Sequence, residues 1–304
     1  MALGQGAEVN FGLVGTGYWA WVTQAPGLAR LEGAHLSTVW GRNPDRTADL
    51  AAEFGARPAG SYAELLEKVD AVVFGVPPDV QAELAVEAAG AGRHLLLEKP
   101  MATSLAAADG LVGAVDAAGV SSVVFFTSRY DPGRQAWLED VVGETWNGAW
   151  ARSFAANFVE GSPYASSTWR WERGALWDLG PHVLSVLLPV LGHVEAVSAR
   201  PGVGDLAHLV LTHAGGATST ASITLRASRR AAGSEVAFWG ERGIFSMPPM
   251  AGTSKDAFVE AARELMEGAT AGRRSHPCDV HFGREVVRIL AEAEAQLDPA
   301  GGPG

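Results

Sequence analysis

The sequence predicts an α/β protein with two domains: an N-terminal doubly wound parallel sheet, then an α+β domain with a largely antiparallel open sheet. Three observations support this prediction. Over residues 1–125, short and uniformly apolar runs alternate with helical spacing, which is typical of strands covered on both faces. Beyond residue 126, short runs alternate apolar and polar residues, as in a sheet with one solvated face. The length of 304 residues suits two domains of roughly 150 residues each.

The predicted first domain, residues 1–125, repeats a strand and a helix five times. Its strands are predicted at 9–14, 35–40, 71–76, 94–97 and 120–126, and its helices at 18–31, 44–54, 62–67, 80–91 and 104–118. Pro44 suits the first turn of a helix and Gly55 suits its end. Regular β-α repetition of this kind predicts a parallel sheet with crossover helices.

The predicted second domain, residues 126–278, begins with a helix at 134–142. Its strands are predicted at 149–158, 194–199, 208–212, 218–225 and 235–239. Gly215-Gly216 predicts a hairpin turn between two of them. A helix at 279–298 carries an apolar stripe from Val286 to Ala293, so we expect it to pack back on the first domain. Residues 299–304 are expected to be disordered.

Composition and charge exclude several functional classes. The net charge of −11 and the isoelectric point of about 5.2 argue against nucleic-acid and anionic-membrane partners, which require clustered positive charge. The longest apolar run, 183–191, is shorter than the roughly 20 residues that span a bilayer. Residues 1–10 lack the features of a signal peptide, and the single Cys278 forms no internal disulfide. We therefore expect a cytoplasmic protein.

A glycine-rich turn follows the first predicted strand. The segment Gly15-Thr16-Gly17-Tyr18-Trp19-Ala20 fits the pattern G-x-G-x-x-G/A, with small residues where a tight turn, a pyrophosphate and helix packing require them. The following helix N-terminus adds unpaired N–H groups and the positive end of its dipole. This position predicts a dinucleotide site, although the same residues also suit an ordinary tight turn.

The end of the second strand indicates which dinucleotide binds. NAD-binding domains usually carry an acid here for the ribose 2′-hydroxyl, but this chain has Gly41 followed by Arg42, with Arg46 one turn later. A guanidinium offers a charged bidentate hydrogen bond to a 2′-phosphate. Such bonds predict a preference for NADP(H) over NAD(H) of roughly ten- to a hundred-fold. The alternative is that Arg42 is a solvated surface residue.

Lys99, one of three lysines in the chain, follows the strand at 94–97, where ligands of doubly wound sheets bind.

Several segments of the chain resemble the glucose-fructose oxidoreductase / inositol dehydrogenase / rhizopine-catabolism (Gfo/Idh/MocA) family. They are Asp70-Ala71-Val72-Val73 with Pro77-Pro78, the run GRHLLLEKPMATS at 92–104, Arg129-Tyr130-Asp131-Pro132, Trp169-Arg170, and GALWDLGPH at 174–182. The resemblance covers residues 9 to about 192 and implies an N-terminal Rossmann domain.

The resemblance also implies a catalytic trio of Lys99, Asp178 and His182. Hydride transfer at a carbinol carbon requires a proton to move on or off oxygen, and His182 can do this near neutral pH. Lys99 can stabilise a developing alkoxide, while Asp178 binds substrate hydroxyls or orients its neighbours. The cofactor-binding residues are expected to be Gly15, Thr16, Gly17, Tyr18, Trp19, Arg42, Asn43, Arg46, Pro77, Glu98 and Lys99. Those at the substrate are expected to be Lys99, Arg129, Trp169, Arg170, Asp178 and His182.

Other interpretations of these residues remain open. Asp178 could serve only as the N-cap of a helix that extends to residue 191, and His182 could be a core histidine. The two alone are too few ligands for a metal, so none is expected. Where the family often has an acid, this chain has Ser185. Five tryptophans near this segment suit either sugar faces or core packing, with Trp169 and Trp171 favoured for substrate. The five are Trp146, Trp150, Trp169, Trp171 and Trp177.

Together these patterns predict an NADP(H)-dependent oxidoreductase acting on a carbinol or keto carbon of a sugar, cyclitol or keto-sugar derivative. One alternative is a non-catalytic, cofactor-binding regulatory protein of the same fold. Another is an enzyme that holds its nicotinamide tightly and uses it transiently for hydrolysis or epimerisation. The resemblance implies a homo-oligomer, a dimer or tetramer, joined through the sheet of the second domain.

Overall fold

The computed structural model describes residues 8–297, which divide into two compact units. Unit 1 holds the described residues up to Asp131 together with Gly252–Glu285, and unit 2 holds Pro132–Ala251 together with the described residues from Val286 onward. The division differs from the predicted boundaries, because residues 252–278 group with unit 1. The predicted tail, 299–304, lies outside the described residues.

The sheet of unit 1 confirms the predicted doubly wound parallel arrangement. Its strand order is β3-β2-β1-β4-β5-β6, and every pairing is parallel. The strands are β1 (Val9–Val14), β2 (Ala34–Trp40), β3 (Arg57–Pro58), β4 (Ala71–Phe74), β5 (His94–Glu98) and β6 (Ser122–Phe125). The order reverses between β1 and β4, and this switch point is where such sheets bind ligands.

The helices of unit 1 depart from the predicted ones at two places. The predicted helix at 18–31 is a π-helical turn, Ala20–Gln24, followed by the short α1 (Ala25–Leu28). Pro26 lacks an N–H group, so a regular α-helical hydrogen bond is lost there. The other helices are α2 (Pro44–Glu53), α3 (Tyr62–Glu67), α4 (Pro78–Gly90), α5 (Leu105–Ala118) and α8 (Ser254–Thr270).

Helix α8 has no counterpart in the predicted elements. Its buried face consists mainly of alanines, and its one large aromatic residue, Phe258, packs edge-on against Phe125 of β6 at 5.5 Å between ring centroids. Helix α8 also contacts α1 and β5, and residues 252–278 belong to unit 1. A capping box formed by Thr253 and Asp256 marks the start of α8. This pattern is recognisable in the sequence as a helix start.

The sheet of unit 2 is largely antiparallel, as predicted. Its order is β12-β11-β7-β10-β9-β8, and β7–β10 is the parallel pair. The strands are β7 (Gly148–Phe154), β8 (Val194–Pro201), β9 (Ala207–His213), β10 (Thr218–Thr224), β11 (Gly233–Gly240) and β12 (Gly243–Ser246). Gly215-Gly216 turns the chain between β9 and β10, with Gly216 at φ 84°, which only glycine adopts without strain.

Three helices accompany this sheet: α6 (Pro132–Val141), α7 (Thr168–Leu191) and the part of α9 (Val280–Leu297) that lies in unit 2. Helix α7 bends at Gly174, where φ is 65°. A Cβ on Gly180 would lie 2.6 Å from Leu290 Cδ2, so α7 and the second half of α9 are closely packed. This half of α9 therefore packs within unit 2, whereas residues 280–285 belong to unit 1.

Helix α7 also has the length and apolar composition of a membrane span, and no other helix in residues 8–297 does. However, 72% of its apolar window is buried inside the protein, as is usual for a core helix. Two prolines, Pro181 and Pro189, and a buried carboxylate, Asp178, lie within it.

Candidate active site

The glycine turn lies at the carboxyl end of β1 and borders an open groove of about 350 Å³. Gly15 has φ 111°, and a Cβ there would lie 2.5 Å from the Gly75 carbonyl oxygen. Only glycine fits this position, so backbone forms the wall. The groove is lined by Gly15, Thr16, Gly17, Trp40, Gly41, Arg42, Asn43, Arg46, Gly75, Val76, Pro77, Val80 and Leu84. The cradle suits a dinucleotide, because its backbone can approach phosphate closely.

The residues after β2 form one edge of this groove. A Cβ on Gly41 would lie 3.0 Å from Thr16 Cγ2 and 3.2 Å from Thr47 Oγ1, so an acid at this position would be crowded. Asn43 caps α2 by accepting from the Arg46 backbone N–H at 3.0 Å. Arg46 also donates from Nη2 to the Thr16 carbonyl at 2.8 Å. Both arginines are exposed and line the groove; Arg46 braces the turn through this hydrogen bond, and Arg42 follows Gly41 directly.

Lys99 follows β5 directly, and a buried glutamine fixes the backbone around it. Gln81 of α4 is fully buried. Its Oε1 accepts from the Glu98 backbone N–H, and its Nε2 donates to the Glu98 carbonyl, both at 2.8 Å. Nε2 also lies 3.2 Å from the Met101 carbonyl oxygen. Sequence reasoning missed Gln81, although a glutamine among the alanines of a buried helix face was a usable signal.

A network of buried polar groups connects the glycine turn to the end of β5. Trp19 Nε1 donates to Glu98 Oε1 at 2.6 Å, and Gln24 Nε2 donates to the same oxygen at 3.1 Å. Gln24 also donates to the Phe74 carbonyl at 2.8 Å. Burial raises the pKa of Glu98 to about 7, against the opposing effects of the Lys99 charge and the two hydrogen bonds. Trp19 and Glu98 therefore support the turn, and neither is among the residues that line the groove of about 350 Å³.

The buried Glu98 carboxyl makes stability depend on pH in a direction that can be tested. Between its ordinary pKa of 4.5 and about 7, the folded chain keeps a proton that the unfolded chain loses, so stability falls as pH rises. The loss approaches about 3 kcal/mol above pH 7. We expect Glu98→Gln, measured by urea unfolding from pH 4.5 to 8, to become progressively more stable than the wild type. The exposed Glu67→Gln is the control, and parallel curves for Glu98→Gln and wild type would contradict this explanation.

In unit 2, Asp178 and His182 lie four residues apart on α7. The helix starts at Thr168 with Ser167 as its N-cap residue, and Asp178 lies in its interior with 3% of its surface exposed. The interpretation of Asp178 as an N-cap is therefore wrong. A spacing of four residues places both side chains on one side of the helix, where His182 is half-buried.

Asp178 is held by an arginine and an asparagine. Arg170 Nε donates to Asp178 Oδ2 at 2.9 Å, and Asn157 Nδ2 donates to the same oxygen at 3.2 Å. The Arg170 guanidinium lies 4.3 Å from the ring centroid of Tyr164 and 4.6 Å from that of Trp169. Arg170 was predicted to bind substrate; the structure shows it bound to Asp178. Sequence reasoning missed Asn157, and no local pattern marks it.

The other residues predicted at the site are either packed inside the protein or exposed at its surface. Trp177 is buried and donates to Glu294 Oε1 at 2.7 Å, and Trp146 is also buried. Trp150 and Trp171 are exposed. In unit 1 the Arg129 guanidinium lies over the Phe282 ring at 5.7 Å. Within residues 8–297, no three side chains of His, Cys, Asp or Glu come together as metal ligands would.

Two family models match the chain. Residues 9–126 match the model described as "Oxidoreductase family, NAD-binding Rossmann fold", and residues 150–246 match the "GFO/IDH/MocA C-terminal domain". Together these segments cover more than half of the chain.

Individual proteins show the same likeness. A 4-carboxy-2-hydroxymuconate-6-semialdehyde dehydrogenase from Sphingobium is 31% identical over 36% of this chain and 36% of its own length. A dTDP-3,4-didehydro-2,6-dideoxy-alpha-D-glucose 3-reductase from Saccharopolyspora spinosa is 29% identical over 69% of this chain and 66% of its own length. The chain thus spans about one third and just under two thirds of these relatives. An oxidoreductase from Agrobacterium radiobacter, solved with NAD+, L-tartaric acid and magnesium, has a TM-score of 0.83 at 18% identity, covering 97% of each chain. That likeness shows the fold.

Proposed function

The chain belongs to the Gfo/Idh/MocA oxidoreductase family, and from this premise we propose that it transfers a hydride between NADP(H) and a carbinol or keto carbon of a sugar, cyclitol or keto-sugar derivative. One observation carries the proposal: Lys99 stands at the carboxyl end of β5, in the sheet whose first strand ends in the glycine cradle. Ligands of such sheets bind at these strand ends.

The residues of this chain divide the chemistry between them. Gly15, Gly17 and the groove around them would hold the dinucleotide, whose nicotinamide ring carries the hydride. Lys99 holds the substrate oxygen and stabilises negative charge on it. His182 takes a proton from that oxygen during oxidation and returns it during reduction. Asp178, fixed by Arg170 and Asn157, lies four residues before the acid/base group on α7 and orients it.

The decisive experiment measures NADPH oxidation against a panel of keto-sugars and NADP+ reduction against the matching sugars and cyclitols. Turnover that depends on Lys99 supports the proposal. Cofactor retained through purification without net oxidation would overturn it in favour of transient use of the nicotinamide. Cofactor binding without any turnover would favour a regulatory protein.

The proposed preference for NADP(H) over NAD(H) can be tested separately from turnover. Arg42 is exposed on the groove beside Gly41, where a carboxylate that would repel a 2′-phosphate is missing. We expect Arg42→Ala to reduce the ratio of NADPH to NADH affinity by ten- to a hundred-fold in fluorescence titrations. The exposed Arg57→Ala on β3 is the matched control. Equal binding of NADH and NADPH by the wild type would refute the preference.

We also propose that the outer face of the unit 2 sheet joins copies of this chain. The strand register places four exposed apolar side chains on that face: Trp150, Val210, Trp239 and Ile244. Patches of this kind mark interaction surfaces. Sedimentation velocity should show a dimer or tetramer that Val210→Arg dissociates, and a wild-type monomer at micromolar concentration would refute this proposal.

A further inference from the structure

Two surface segments of unit 2 meet beside the residues that hold Asp178. The segment at 155–161 runs along the turn that follows β10, with a backbone bridge between Ala156 and Arg226. The Asn157 backbone N–H donates to the Leu225 carbonyl at 3.0 Å. Arg229 Nη2 donates to the Glu160 carbonyl at 2.7 Å. These contacts hold Arg226 and Arg229 of the turn beside the segment that carries Phe158.

The aromatic part of this surface is a stacked pair. Phe158 and Trp171 lie 3.9 Å apart between ring centroids with an interplanar angle of 22°. The Arg226 guanidinium lies 4.8 Å from the Trp171 ring centroid. Trp171 is 48% exposed, yet its Nε1 donates to the Ala165 carbonyl at 2.8 Å, so the ring is held in place. A fixed and partly open indole with a cation beside it suits a planar heterocycle.

The charge of this surface opposes that of the whole chain. Arg226, Arg229 and Arg230 are all exposed, and none of them forms an ion pair with a carboxylate in the part of the chain that the structure describes. The nearest carboxylate at this turn, that of Asp205, accepts hydrogen bonds from Thr224 Oγ1 at 2.6 Å and from the Leu225 backbone N–H at 3.0 Å. In a protein of net charge −11, three guanidinium groups within five residues and without an ion-pair partner in residues 8–297 form a local site for an anion. Guanidinium is the side-chain group best matched to phosphate oxygens. We call Arg226, Arg229, Arg230 and Trp171 the arginine–tryptophan patch.

The patch adjoins the Asp178 site. Asn157 and Arg170, which both contact Asp178, directly precede Phe158 and Trp171 in sequence. Consecutive Cα atoms are about 3.8 Å apart, so the stacked pair begins one residue away from the two groups that hold Asp178. A ligand with a sugar at Asp178 and an anionic aromatic extension can therefore occupy both places.

We propose that the substrate is a sugar linked to a nucleoside diphosphate, with its diphosphate bound by the three arginines and its base stacked on Trp171. The inference rests on the proposed function and names the substrate class of that same site. A free sugar or cyclitol has neither the charge nor the aromatic ring that this patch recognises. A sugar phosphate has the charge but lacks the ring.

The test measures binding rather than turnover. The full chain is first saturated with NADP+, which fills the dinucleotide groove, and UDP, dTDP, inorganic pyrophosphate and glucose 1-phosphate are then titrated calorimetrically. We expect UDP or dTDP to bind at least ten-fold more tightly than the two probes without a base. Arg229→Ala/Arg230→Ala and Trp171→Leu should each weaken that binding ten-fold or more. The exposed Arg263→Ala on α8 should leave it unchanged.

Arg229 also braces the neighbouring segment, so Arg230→Ala serves as the variant least able to disturb folding. Arg230 makes no hydrogen bond or ion pair within residues 8–297, and its loss should still weaken binding several-fold. The proposal is overturned if UDP and dTDP fail to bind the NADP+-saturated protein, or bind all variants equally, or bind no better than pyrophosphate. If free keto-sugars oxidise NADPH equally well in wild type and the patch variants, the proposed function stands and this inference falls. If nucleoside diphosphates bind as expected but no sugar of either kind turns over, the proposed function falls instead.

Discussion

Lys99→Met and His182→Gln should each lower the rate of cofactor oxidation with an identified keto-sugar by about 10²–10⁴-fold. Positioned proton transfer and electrostatic stabilisation of an alkoxide each contribute a factor of that size. The effect should fall on kcat, because both groups act most strongly when charge develops on the substrate oxygen. Combining the two substitutions should cost much less than the product of the single losses, since groups that act as one unit are not additive.

Each of these variants has a matched control on the same protein. Lys68 is an exposed lysine on the surface of unit 1, paired with Glu64, and Lys68→Met should retain the wild-type rate. His208 is exposed on β9 and hydrogen-bonded to Ser222, and His208→Gln should also retain it. Binding of NADPH to His182→Gln should match the wild type in fluorescence titration. If Lys99→Met and His182→Gln both turn over at the wild-type rate, the assignment of both residues is wrong.

The doubly wound parallel sheet and the glycine cradle were predictable because local patterns encode them. Strands β1 and β4 to β6 are buried at every position except Asn10 and Glu98, and strands covered on both faces are nearly continuous apolar runs. Gly15 is required by its own backbone angle and by the nearness of Gly75. Such constraints lie within a few residues of sequence, so a single chain displays them.

The supports of the site were not predictable, because they join residues that are distant in sequence. Gln81 fixes the backbone of residues 98–101 from another helix, and Asn157 reaches Asp178 from a surface segment. Arg170 fits a substrate-binding residue by type, yet its partner is Asp178. Gln81, Asn157 and Arg170 are residue types that can form such hydrogen bonds, but only the tertiary structure determines which group each one binds.

Arg170→Met should lower the free energy of unfolding by about 3–5 kcal/mol. Asp178 and Arg170 form an ion pair at 2.9 Å, in which the two side chains are only 5% and 18% exposed. Removing Arg170 takes the charged partner away from a buried carboxylate, and breaking a buried ion pair by removing one partner costs that much. Urea unfolding followed by tryptophan fluorescence measures the loss. The control is Arg173→Met on the same helix, whose pair with Glu294 is 3.5 Å long and about 40% exposed on both sides, so its loss should cost at most about 1 kcal/mol.

A double-mutant cycle then separates the ion pair from the packing of Arg170 on its two aromatic neighbours. Adding Asp178→Asn to Arg170→Met also removes the negative charge that has lost its cation, so the double variant should regain most of the stability that the single variant loses. The aromatic contacts with Tyr164 and Trp169 are lost in both variants and cancel in the cycle. If Arg170→Met lowers the free energy of unfolding no more than Arg173→Met does, and raises KM alone, Arg170 binds substrate directly. If the coupling energy is large and kcat falls with it, Arg170 acts through Asp178, because the carboxylate must be held still to serve the acid/base group four residues along α7.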